Sequence, residues 1–167
     1  AMAEGPQPEL VKTQKCRHGT FCYMPHDVFI GRSLDIYGEY SEGETELFKA
    51  MLKPNMVVIE VGSNIGAHTV PISKAVGPGG RVFAFEPQRI IFQMLCANAS
   101  LNALWNIHAA PAALGAAQGV MGVPPVDYAQ PGNFGGIALE ERAAESVMVA
   151  PLDNLNLTPH FIKLDCE

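Results

Sequence analysis

Apolar residues in this chain fall in short blocks separated by glycine- and proline-rich breaks, and amphipathic stretches lie between the blocks. Met56-Val57-Val58-Ile59 reads as a strand buried on both faces, the pattern of a parallel sheet. Arg81 to Pro87, Ile107 to Ala110 and Phe161 to Asp165 read as three more strands. The stretch from Ala67 to Val76 predicts a helix, with Pro71 marking a kink or a late start. A second helix spans Arg89 to Asn102, with Ile90, Ile91, Met94, Leu95 and Leu101 on its apolar side. Upstream, Ser41 and Glu44 have capping-box spacing for a helix through Lys53, striped by Leu47, Phe48, Met51 and Leu52 and stopped by Pro54.

The remainder is less regular. Residues 1–15 are polar and expected to be loosely held, and 20–37 predict extended pieces around Phe21-Cys22-Tyr23 and Val28-Phe29-Ile30. Residues 111–136 read as irregular with room for a short hairpin, and Val147 to Ala150 as a short strand. Trp105 and the seven methionines are expected in the core. Strands alternating with helices at this spacing predict an α/β fold with a doubly wound, mostly parallel sheet. A tail of residues 1–26 is expected before a ligand-binding domain of 27–167.

Composition narrows the function. With 48% hydrophobic and 17% charged residues the chain is not disordered, and 167 residues suit one core. A net charge of −6 argues against nucleic acid as partner. No apolar run nears the roughly 20 residues of a membrane helix, and the first residues lack a signal-peptide core, so a cytoplasmic location is expected. Cys16, His18, Cys22 and His26 lie close in sequence, but their spacing is wider than that of structural zinc sites, so no metal is expected. Cys96 and Cys166 read as small buried hydrophobes.

The chemistry concentrates in VVIEVGSNIGAHT, residues 57–69, where a strand runs into a glycine turn and a helix. Gly62 and Gly66 permit a tight turn and close approach of a ligand, with helix N–H groups pointing back at it. A dinucleotide fingerprint would need glycine where Asn64 stands. S-adenosylmethionine has no pyrophosphate and needs this kind of turn plus a carboxylate for the ribose hydroxyls. Glu86, at the end of the next strand, supplies such a carboxylate. An NAD-linked oxidoreductase and a binding-only module remain open on these residues, as does a purely structural glycine turn.

The stretches IGRSLDIYGEYSEGE (30–44), VVIEVGSNIGAHT (57–69), VFAFEPQ (82–88), NFGG (133–136), PLDNL (151–155) and FIKLDCE (161–167) together resemble the FkbM family of S-adenosylmethionine-dependent methyltransferases, which have a Rossmann-like sheet. The resemblance implies a cofactor turn of Glu60, Gly62, Ser63, Asn64 and Gly66, and a ribose clamp of Glu86 with Pro87 beside it. It also implies Tyr37 and Glu39 on the cofactor pocket and Asp165 beside the methyl group and its acceptor, a small hydroxylated molecule such as a sugar or polyketide. His68 is expected as a capping or surface residue ahead of a base, and Asn133 as a turn residue or a substrate contact. The family's last motif runs on into further strands, so the sheet is expected to be incomplete at its C-terminal side. An exposed edge at Phe161 to Asp165 would then favour a homodimer.

Overall fold

A computed structural model describes residues 9–166. It opens with an antiparallel hairpin, β1 (Lys12–Cys16) and β2 (Gly19–Tyr23), followed by helices α1 (Ile30–Tyr37) and α2 (Glu42–Met51). Next come β3 (Val57–Val61), α3 (Thr69–Val76), β4 (Arg81–Phe85), α4 (Arg89–Leu101) and β5 (Ile107–Ala110). Three short strands, β6 (Ala112–Leu114), β7 (Gly119–Val123) and β8 (Glu145–Ala150), form a separate small sheet. A single 3-10 turn over Leu152–Leu155 then leads into β9 (Phe161–Leu164).

The central sheet is parallel, in the order β5-β4-β3-β9. The chain steps outward from β3 to β4 to β5, then returns to the far side of β3 as β9. That reversal opens a crevice beyond the carboxyl ends of β3 and β9, where ligands bind in open α/β sheets. Alternate residues of the strands serve the two faces. Val58 and Val82 pack under Phe48, Leu52, Ile72 and Val76 of α2 and α3. On the other face Ile59, Val61 and Phe85 pack against Ala112, Leu114, Leu152 and Leu155. Each such side chain, once buried, contributes about 1.5–3 kcal/mol.

The hairpin joins this core through Phe21 and Tyr23, which cluster with Val70, Ile91 and Met94. Asn98, fully buried on α4, ties the layers together. Its Oδ1 accepts the Cys22 N–H at 2.7 Å, and its Nδ2 donates to the carbonyls of Cys22 at 3.0 Å and Ile65 at 2.7 Å.

Several local expectations are corrected. Residues 30–37 are helical; Phe29 holds the N-cap position, and the buried Asp27 carboxylate just before it accepts the N–H groups of Phe29 and Gly31. Residues 12–15 belong to β1, paired with β2. The stretch 111–136 contains β6 and β7, both paired to β8. Ser41 adopts a left-handed conformation and makes no side-chain cap to the backbone of α2. Its hydroxyl donates to the Glu44 carboxylate instead. Pro71 lies in the first turn of α3, which starts late at Thr69. Trp105 is 78% exposed in the turn before β5, Met51 and Met148 are exposed, and so is Cys166.

Candidate functional site

A cavity of about 320 Å³ fills the crevice. Its floor is the turn after β3, with positive φ at Gly62 (77°), Asn64 (50°) and Gly66 (87°). The reason for glycine at two of these positions lies within the protein. A Cβ on Gly62 would stand 1.8 Å from the Asp165 carbonyl oxygen, and one on Gly66 would press on Leu95 at 2.9 Å. The bare backbone thus lets β9 and α4 close against the turn, a packing role beside the expected approach to a ligand.

The polar groups of the turn are largely engaged already. Glu86 Oε2 accepts the Asn64 N–H at 2.9 Å, and Asn64 Oδ1 accepts the Ile65 N–H at 2.7 Å. Glu86 ends β4 on the cavity wall, 3% exposed, and its Oε1 accepts the Gln88 N–H at 2.9 Å. Burial pushes its carboxyl up to about 7, against the pull of those two backbone N–H groups. Gln88 is buried as well and donates to the Phe134 carbonyl at 2.8 Å, anchoring the 133–136 loop over the site. Asn133 lines the cavity and also closes its own turn, accepting the Gly136 N–H at 3.0 Å. Ala113, Leu114, Ile137 and Leu139 give this end an apolar wall.

The opposite end carries buried charge. Glu60 and Lys163 are register partners on β3 and β9, so their side chains leave the same face of the sheet. Lys163 Nζ lies 3.6 Å from Glu60 Oε1 and 3.3 Å from Asp165 Oδ2. Thr69 donates its hydroxyl to Glu60 Oε2 at 2.5 Å, and Ser63 donates to the Glu60 carbonyl at 3.2 Å. Full burial raises the Glu60 carboxyl, with Lys163 and the Thr69 hydroxyl opposing. His68 is 5% exposed on the cavity wall, against Tyr40 (ring centroids 5.5 Å apart) and Phe48. Its Nε2 has no hydrogen-bond partner. Burial, and then the charge of Lys163, lower its pKa to about 4, so the ring is neutral at pH 7.

Of the residues expected at the site, Gly62, Ser63, Asn64, Glu86, Pro87 and Asp165 line the cavity. Glu60 lies beneath it, paired to the lining Lys163, and Gly66 faces α4. Tyr37 and Glu39 are not brought to the cavity. Tyr37 is 72% exposed at the end of α1, and Glu39 pairs with Arg17 at 2.7 Å. Tyr40 stands at the cavity in their place. His68 occupies the N-cap position of α3 without a side-chain capping hydrogen bond, and it is buried and not on the surface. Lys163 was missed, although a lysine inside an apolar strand is a signal of buried charge pairing. Of the four residues considered for zinc, His18 is engaged with Glu42 at 2.7 Å and His26 with the Tyr128 carbonyl at 3.3 Å. Among the described residues no group of three or more His, Cys, Asp or Glu side chains is placed to hold a metal. No helix among them is long and apolar enough to cross a membrane.

No family model and no curated protein matches the chain. Among solved structures it is similar to M. jannaschii TYW2 in complex with AdoMet, at 22% identity and a TM-score of 0.50, over 65% of this chain and 45% of that one. It is also similar to P. horikoshii TYW2 in complex with MeSAdo, at 18% identity and a TM-score of 0.45, over 64% and 37%. A third is the SAM-dependent methyltransferase from Agrobacterium tumefaciens, at 14% identity and a TM-score of 0.47, over 66% and 34%. The parallel sheet and its helices share the Rossmann-like α/β fold of M. jannaschii TYW2. The chain spans less than half the length of each of these three.

Proposed function

We propose that this chain binds S-adenosylmethionine in the crevice between β3 and β9 and serves transfer of its methyl group to a hydroxyl of a small molecule. One observation carries the reading: Glu86 and the Asn64 side chain take up the N–H groups of Asn64 and Ile65. A pyrophosphate approaching this turn would meet a carboxylate and an amide oxygen instead of free donors, which disfavours a dinucleotide. The same site suits a donor with no phosphate. Each Glu86 oxygen accepts one backbone N–H and keeps a lone pair for a ribose hydroxyl. Ala113, Leu114, Ile137 and Leu139 offer an apolar slot for a base. The motifs shared with the FkbM family point the same way.

When bound, the sulfonium supplies an activated methyl group for in-line displacement. The chain's own residues have three tasks in this reading. Glu86 holds the ribose, and the turn and 133–136 loop fix its orientation. Asp165, just past β9 on the cavity wall, receives the acceptor hydroxyl, orients its oxygen and takes its proton as the oxygen–methyl bond forms and the sulfur–methyl bond breaks. His68 stays uncharged beside it and adds no positive charge near the sulfonium. A small acceptor agrees with a net charge of −6, which suits a polyanionic RNA poorly.

The test is transfer of label from methyl-labelled S-adenosylmethionine, with sugar and polyketide alcohols in one set and tRNA in the other. Label in the alcohols supports the reading. Label in tRNA alone overturns the acceptor class. Tight NAD binding with no affinity for S-adenosylhomocysteine overturns the donor.

A further inference from the structure

The Glu60–Lys163 pair is poorly built for stability alone. Taking both charges out of water costs several kcal/mol per ion, which only close contact and full hydrogen bonding offset. Here the two charged ends stand 3.6 Å apart, and Glu60 Oε1 makes no hydrogen bond. The ammonium has three donors. Its one other anionic neighbour is Asp165 Oδ2 at 3.3 Å, on a side chain that is itself 71% exposed. Lys163 nevertheless lies on the cavity wall, 8% exposed, as the only lysine or arginine among the described residues that line it. The cavity therefore offers one buried, incompletely satisfied cation at the end away from Glu86.

We propose that Lys163 binds the amino-acid carboxylate of the methyl donor, with Glu60 as the residue that positions its ammonium. The proposal rests on the donor reading above. In the sheet order β4-β3-β9, Glu86 and Lys163 are two strand spacings apart, about 9.6 Å, and offset by two residues, about 6.6 Å, along the strands. From its ribose hydroxyls through C5′, sulfur and three carbons to the carboxyl, the extended donor reaches across that separation. Its carboxylate is the donor's only anionic group. Among the lining residues Glu86 and Asp165 carry carboxylates that would repel it, which leaves Lys163 as its charged partner.

Two ligands separate this role from a structural one. S-adenosylhomocysteine carries the amino-acid arm; 5′-methylthioadenosine keeps the adenosine and thioether and lacks it. Calorimetric titration of Lys163→Met with both is expected to show at least tenfold weaker S-adenosylhomocysteine binding and unchanged methylthioadenosine binding. The double variant Glu60→Gln/Lys163→Met removes both charges, and should show the same split if the single variant does not fold. Equal losses on both ligands would make Lys163 structural and overturn the proposal, as would an unchanged affinity for S-adenosylhomocysteine. Glu86→Ala should weaken both ligands alike. Binding of methylthioadenosine with no split at Lys163 would thus sink this inference alone, whereas binding of neither ligand to the unaltered chain would sink the donor reading with it.

Discussion

The carboxylate of Glu86 accepts the backbone N–H of Asn64 at 2.9 Å, so the end of β4 clasps the turn that follows β3. The contact links two of the elements that line the cavity. It also buries a carboxyl that has ordinary solvation in the unfolded chain.

That burial gives a pH dependence with a definite sign. The folded Glu86 carboxyl titrates near 7, against about 4.3 when unfolded, so the fold prefers the protonated form. Its contribution is fully present below the unfolded value and is lost as pH rises through 7. Glu86→Gln keeps the size and removes the charge. Urea unfolding should show the unaltered chain losing on the order of 1–3 kcal/mol relative to this variant between pH 5 and pH 8. A constant difference across that range would mean that Glu86 is better solvated than its surroundings indicate.

Asn98 is expected to be the most costly small substitution on α4. Asn98→Ala strands the Cys22 N–H and the Cys22 and Ile65 carbonyls, all in the interior. At about 1–3 kcal/mol for a buried group left without a partner, a loss of about 3 kcal/mol is expected from the urea midpoint. A loss below about 1 kcal/mol would show that water reaches these groups. Because Ile65 belongs to the glycine turn, the variant should also weaken ligand binding where it remains folded.

Trp105 offers an inexpensive check on the fold. It is the sole tryptophan and is 78% exposed. Its emission should be red-shifted and readily quenched by iodide in the native chain, and should change little on unfolding. Blue-shifted, protected emission would contradict the turn before β5.

The central strands and the glycine turn were legible because their signals are local. An apolar run such as Met56 to Ile59, followed by Gly62 and Gly66, admits few alternatives. α1 was misread because Asp27, which takes up the Gly31 N–H, stands ahead of the apolar pair Phe29-Ile30, and that pair imitates a strand. Tyr37 and Tyr40 exchange places for a related reason. Gly38 ends α1 in a left-handed conformation, which leaves Tyr37 facing outward and turns Tyr40 back over His68. Lys163 and His68 depend on neighbours far along the chain, and no periodicity encodes such a meeting. The glycines were found by their spacing, but what crowds Gly62, the Asp165 carbonyl, comes from a strand distant in sequence.

The central claim is that the β3–β9 crevice holds an S-adenosyl donor by way of Glu86. It is tested most directly by calorimetric titration of the unaltered chain and of Glu86→Ala with S-adenosylhomocysteine and with NAD. The expected result is binding of S-adenosylhomocysteine and none of NAD. Glu86→Ala should weaken that binding about ten- to hundredfold, the loss of hydrogen bonds to a charged group at about 1.5–3 kcal/mol. Binding of NAD in its place, or S-adenosylhomocysteine binding unchanged in Glu86→Ala, would contradict it.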